Sequence, residues 1–199
     1  MHEHGREGAK QPRRFDPARA ARLDDPARFA YLPIADVVAL LDVPHRGVLV
    51  DFGAGTGTYA IEIALVRPDV RIIALDEQPE MLDLLRAKLE VAFVGNVEAV
   101  GPDALPAWRG RADRVLGINV LHELGDAALE DLRSLLKDDG KAVFIDWNSE
   151  VDRPVGPPAD HVYSPKEAVE RLREQGFEPL AQRAFPYQYA VVARKSASP

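Results

Sequence analysis

The chain has 199 residues, a formal net charge of −7 and no cysteine. That length suits one well-cored domain, and the missing thiols exclude both a disulfide framework and a thiolate metal site. The acidic balance disfavours nonspecific adhesion to nucleic acid, whose affinity comes largely from phosphate neutralisation, and favours a small-molecule ligand.

No apolar run approaches the ~20 residues that span a bilayer, and MHEHGREGAK is too polar for a secretory core, so no membrane span and a cytoplasmic location are expected. Residues 1–14 lack apolar periodicity and read as a disordered tail, leaving 15–199 as one domain. Arg6, Lys10, Arg13, Arg14, Arg19 and Arg22 give the leader a basic bias. A solvated tail and an RNA-contacting arm both accommodate it.

Asp25 followed by Pro26 marks a helix start, and Pro33 with Ile34, Val37, Val38, Leu40 and Leu41 predicts another helix, so 15–46 forms an N-terminal helical cover. Val48, Leu49 and Val50 read as a buried strand, and Ile61, Ile63, Ala64 and Val66 as a packed helix. Between them Gly53, Gly55 and Gly57 allow a sharp turn and close approach to a ligand.

Further strands are expected at Arg71–Leu75, Val91–Val94, Arg114–Asn119 and Lys141–Trp147. Helices are expected at Pro79–Leu89 and after a capping Asp126. Val151–Pro158, with three prolines and Gly156, must be a loop, placed over the pocket. SPKE from Ser164 predicts a capping-box helix ending at Gly176. Phe177–Arg183 and Tyr187–Arg194 are joined closely enough for a hairpin.

The fold class is therefore α/β: a Rossmann-like, doubly wound, seven-stranded and mostly parallel sheet with an antiparallel C-terminal strand. The dinucleotide fingerprint GxGxxG would place its last glycine at Thr58, whereas here it comes at Gly57. Asp51, two residues before Gly53, would repel a pyrophosphate and suits a ligand carrying an ammonium and a sulfonium.

DFGAGTG resembles the DxGxGxG signature of class I S-adenosylmethionine-dependent methyltransferases, and from Phe15 onward the chain is similar to the ubiquinone/menaquinone-biosynthesis (type 11) group. The resemblance implies that S-adenosylmethionine binds at Asp51, Gly53, Ala54, Gly55, Thr56 and Gly57, and leaves as S-adenosylhomocysteine. It assigns Asp76 to the ribose hydroxyls, with Glu77 beside it; a helix-capping Asp is the competing reading. It puts Asn96, Val97 and Glu98 at the adenine, with Asn96 where an acidic residue is commoner, and Asn119 and Val120 at the methionine part. Met81 against the adenine and Tyr59, Phe15 and Tyr31 against the sulfonium complete the cofactor set, although packing is the first reading of each and Tyr59, on the turn after Gly57, is the strongest ligand candidate of the three aromatics.

His122 is the candidate general base, since its pKa near neutrality suits proton removal from the acceptor. A histidine that only orients substrate remains the alternative. Asp146, Trp147 and His161 are expected to line the acceptor pocket. His122, Glu123, Asp146 and His161 lack metal-ligand spacing, so no metal is expected. The expected function is methyl transfer to a small-molecule acceptor, with a nicotinamide-dependent oxidoreductase or a noncatalytic adenosylmethionine-binding protein as alternatives. The sequence leaves the oligomeric state open.

Overall fold

The computed structural model describes residues 15–196, so the tail expected over 1–14 lies outside the described residues. Its strands are β1 Val48–Phe52, β2 Arg71–Leu75, β3 Val97–Val100, β4 Ala112–Ile118, β5 Leu136–Trp147, β6 Phe177–Ala184 and β7 Gln188–Lys195. The helices are α1 Arg28–Tyr31, α2 Ile34–Leu41, α3 Thr58–Val66, α4 Pro79–Ala92, α5 Leu105–Trp108, α6 Asp126–Leu135 and α7 Pro165–Glu174. The sheet order is β3-β2-β1-β4-β5-β7-β6.

All pairings from β3 across to β5 are parallel, whereas β7 runs antiparallel to both β5 and β6. The expected terminal hairpin is thus present, and it sets this sheet apart from the six-stranded 3-2-1-4-5-6 order of dinucleotide domains. The order reverses between β1 and β4, where open α/β sheets place a ligand crevice beyond the strand ends.

Alternation along the strands divides the core in two. On one face Val50, Phe52, Ile73 and Leu75 pack with Leu129, Leu132 and Leu135 of α6 and Leu172 of α7. On the other Leu49, Ile72 and Ala74 pack with Val37 and Leu41 of α2, Ile63 of α3 and Leu85 of α4. Asp51 follows Leu49 by two residues and therefore shares its face, at the carboxyl end of β1.

The capping box starts α7 as expected: Glu167 N donates to Ser164 Oγ at 3.2 Å and Ser164 N to Glu167 Oε2 at 2.7 Å. Three boundaries differ. The stretch Val91–Val94 is not a strand, because the apolar stripe of α4 runs on to Ala92 and the helix closes at Phe93 in the left-handed region (φ 53°). The third strand instead begins at Val97. Asp126 is the first residue of α6 rather than its cap, Gly125 holding the cap position, and its carboxylate takes Arg171 Nη1 at 2.6 Å. Strand β5 begins at Leu136, opposite Ala112, with a register shift before the regular pairing from Arg114 and Lys141 onward.

Candidate active site

One large cavity of about 1520 Å³ opens over the carboxyl ends of β1, β2, β4 and β5. The cover forms part of its wall. Asp24, at the end of a 3-10 segment from Pro17, accepts from Thr56 Oγ1 and Thr58 Oγ1, both at 2.6 Å, and from Lys88 Nζ at 2.5 Å. Burial opposes the Asp24 charge, but these hydrogen bonds outweigh it and hold the carboxyl below its usual range.

The turn after β1 is shaped by glycine. Gly53 has φ 74°, and a Cβ there would come within 2.8 Å of Val120 Cγ1. Its amide and that of Ala54 donate to Leu75 O, at 2.8 and 2.9 Å, which ties the loop to the end of β2. Gly57, also at φ 74°, starts α3, and a Cβ there would run into the Leu85 side chain of α4. Gly53, Ala54, Gly55, Thr56 and Tyr59 line the cavity, but Gly57 does not. It packs closely against Leu85 of α4 beneath the loop.

Asp76 caps this cradle from the end of β2. Its Oδ2 accepts from Gly55 N at 2.7 Å and its Oδ1 from Gln78 N at 2.9 Å. Burial raises its pKa, although these amide bonds partly offset the effect. One oxygen thus serves the turn into α4, whose N-cap is Gln78, and the other holds the glycine loop. Asp51 lies deeper. Burial and the charge of Asp76 push its carboxyl up to about 7, while Arg28 pulls the other way. Glu77 and the buried Met81 complete this wall.

Tyr59 is nearly buried, its hydroxyl donating to Leu32 O at 3.1 Å and its ring meeting Phe29 edge-on at 5.6 Å. It lines the cavity while anchoring the cover. Phe15 and Tyr31 also reach the cavity. Asn119 and Val120 do so at the end of β4, where Asn119 takes φ 56° and its amide donates to Ile145 O at 2.7 Å. Asn tolerates the left-handed region better than most side chains, and such backbone strain gathers at functional sites.

Asn96, Val97 and Glu98 are not brought to this cavity. With β3 starting at Val97, they sit at the opposite edge of the sheet, where Asn96 Nδ2 donates to Arg67 O and Val70 O at 3.2 and 2.9 Å. Glu98 there pairs with Arg71 at 2.9 Å. Asn96 thus braces a loop while Val97 and Glu98 open β3 beside Ile72 and Ile73, and the misplaced β3 accounts for the displacement.

The other half of the cavity centres on His122. Its Nδ1 lies 2.8 Å from Asp146 Oδ1, and its backbone amide donates to Asp146 Oδ2 at 2.8 Å. Trp147 N gives Asp146 a further bond at 2.7 Å. Asp146 is wholly buried and does not line the cavity; it stands behind His122 rather than in the acceptor pocket where it was expected. Because a carboxylate only accepts, Nδ1 carries the proton and Nε2 is left as the basic nitrogen.

Burial disfavours the charged imidazole, but the charge and hydrogen bond of Asp146 and the charge of Glu123 prevail and raise its pKa. Glu123 Oε1 stands 3.6 Å from Nε2. Burial, opposed by His122, brings that carboxyl up to about 7. Trp147 and His161 line the cavity, as do Pro154–Pro158 of the proline loop. Arg153 Nη1 donates to Val155 O and Pro157 O, and its guanidinium lies 5.4 Å from the Trp147 ring centre. Tyr31 stands against Trp147 and Tyr187, at centroid distances of 6.0 and 5.3 Å.

Sequence reasoning missed Asp24, Arg28 and Arg153. Asp24 acts through residues distant in the chain, whereas Arg28 and Arg153 bond nearby carbonyls, which leave no side-chain pattern in the sequence beyond a charge in apolar or turn-rich surroundings.

The family model for a methyltransferase domain matches residues 50–142. An S-adenosylmethionine-dependent methyltransferase from Aquifex aeolicus superposes with a TM-score of 0.83 at 27% identity, covering 90% of this chain and 98% of that one. The cobalt-precorrin-6B C(15)-methyltransferase of Salmonella typhimurium is 33% identical over 75 residues, 38% of this chain and 39% of its own length. A ribosomal RNA small subunit methyltransferase G from a Thermotoga species is 28% identical over 111 residues, 52% of this chain and 49% of its own. The matched stretches thus span less than half of these two curated relatives.

Proposed function

We propose that this chain, a class I S-adenosylmethionine-dependent methyltransferase by fold and by family match, transfers a methyl group to a small acceptor bearing an acidic O–H. The observation that carries the reading is the pairing, in one cavity, of a glycine cradle flanked by two buried carboxylates with a buried His–Asp dyad. A typical small-molecule site occupies ~300–1,000 Å³, so about 1520 Å³ leaves room for cofactor and acceptor together.

The residues fit the cofactor. The loop from Gly53 to Thr56 offers backbone surface without side-chain obstruction, Asp76 lies at the strand end suited to ribose hydroxyls, and Asp51 offers a carboxylate to an ammonium. When bound, S-adenosylmethionine supplies an electrophilic methyl on a sulfonium and departs as S-adenosylhomocysteine. The chain itself aligns the reactants and manages one proton.

Asp146 fixes the His122 ring and tautomer, so Nε2 accepts the acceptor's proton, and the developing imidazolium is stabilised by the Asp146 charge. Glu123 beside Nε2 offers that proton an onward path. Tyr31, Trp147 and the proline loop give the acceptor an apolar wall.

The test is a screen of small hydroxylated metabolites for S-adenosylhomocysteine release, with RNA in parallel. Release with a hydroxyl compound, lost in His122→Ala, is expected. Release with RNA alone would replace the acceptor class, and binding without release from any acceptor would favour a noncatalytic role.

A further inference from the structure

The proline loop beside the acceptor half has little backbone bonding to hold it. Pro154, Pro157 and Pro158 carry no N–H, and among the described residues 150–157 make no backbone–backbone hydrogen bond. One side chain takes over that task. Arg153 donates from Nε to Asn148 O at 3.4 Å, and from Nη1 to Val155 O at 3.1 Å and to Pro157 O, so a single guanidinium joins the start of the loop to its far side.

The same clasp seats the loop on an aromatic face. The guanidinium lies 5.4 Å from the centre of the Trp147 ring, and Gly156, at φ 92°, is so close that a Cβ would meet Trp147 Cδ2 at 2.9 Å. Nη2 is buried without a hydrogen-bond partner among the described residues, so carbonyls and a ring hold this cation. Its charge reaches the dyad next to Trp147: Asp146 attracts it, and it opposes the charged form of His122. Asp146 of β5, Glu123 and Arg153 are the charged groups that act on His122.

We propose that Arg153 is a positioning residue of the acceptor half: it folds the proline loop into a fixed wall against Trp147 and sets a cation beside the His122–Asp146 pair. The inference rests on the acceptor reading above. Arg153 does not itself line the cavity, whereas Pro154, Val155, Gly156, Pro157 and Pro158 do, so it meets an acceptor only through the loop. A wall fixed in advance spares an apolar acceptor the cost of ordering that loop on binding. The cation keeps more of His122 neutral, the form that accepts a proton.

The test compares Arg153→Met, which removes donors and charge, with Arg153→Lys, which keeps the charge and loses the planar fork. Both are made together with Trp108→Phe, leaving Trp147 as the sole tryptophan. Acrylamide quenching of Trp147 should rise several-fold in both variants. The His122 titration, followed by NMR of labelled imidazole and assigned by its loss in His122→Ala, should move to higher pH in Arg153→Met and stay near its native position in Arg153→Lys. Naphthol, a flat hydroxylated probe, titrated into the chain loaded with S-adenosylhomocysteine should bind about tenfold more weakly in both variants, with S-adenosylhomocysteine affinity unchanged.

Unchanged quenching in Arg153→Met would overturn the wall, and a His122 titration that stays in place or moves to lower pH would overturn the electrostatic role. Should Arg153→Met fail to fold, Arg153→Gln gives the same two readings. Failure of the native chain to bind naphthol would instead count against the hydroxyl-acceptor reading, while quenching and titration still decide the role of Arg153.

Discussion

At the ends of β1 and β2 the cavity wall is mostly backbone, whereas at the ends of β4 and β5 it is mostly side chain. The first wall is a glycine turn tied to Leu75 O and held by Asp76. The second is His122, braced by a carboxylate 24 residues away and faced by a proline loop and aromatic rings. A backbone wall tolerates little variation, because its shape depends on dihedrals that only glycine adopts cheaply. A side-chain wall can be rebuilt residue by residue while the sheet stays intact, which is how one fold serves many acceptors.

The comparison breaks most severely at Gly57. Gly57→Val would place a branched side chain against Leu85 at a positive φ, and about 2–5 kcal/mol of stability should be lost, read from the denaturant midpoint. His122→Ala touches only the other wall. It should lower turnover by about 10²- to 10⁴-fold while leaving S-adenosylhomocysteine affinity within about twofold.

A subtler separation comes from Asp146→Asn. As the proposed base His122 acts in its neutral form, so activity should rise as pH climbs through its raised pKa. Removing the Asp146 charge should move that rising limb toward lower pH, with a reduced plateau because the amide no longer stabilises the imidazolium. A limb that stays in place would remove His122 from the proton step. The smallest effect on ligand binding is expected at Asn96. Asn96→Ala should cost about 1–3 kcal/mol of stability through the lost brace to Arg67 O and Val70 O, with cofactor affinity unchanged.

What the sequence makes legible follows the same division. The glycine turn, the SPKE capping box and the terminal hairpin are local signals, and each takes the backbone form expected of it. The third strand was misplaced because Val91, Phe93 and Val94 read equally well as a buried strand or as the end of a helix. Val91 is 77% exposed and Phe93 94%, so their apolar character reports no burial at all. That slip carried Asn96, Val97 and Glu98 to the wrong edge of the sheet.

Gly57 was read as a ligand contact because glycine spacing does not distinguish a backbone that meets a ligand from one that meets a helix. Asp146 was placed in the pocket because its position at a strand end is visible, whereas its orientation behind His122 is a through-space fact. Asp24 is invisible for the same reason, its partners Thr56 and Thr58 lying in and just after the glycine loop, 32 and 34 residues on.

In the proposed function one wall grips the cofactor and the other handles the acceptor. Calorimetric titration of S-adenosylhomocysteine into the native chain, His122→Ala and Asp76→Ala tests it most directly, with NADH as the control. Matching affinities are expected for the native chain and His122→Ala, at least about tenfold weaker binding in Asp76→Ala, and no heat from NADH. Tight NADH binding with no response to S-adenosylhomocysteine would contradict it, as would equal losses in the two variants.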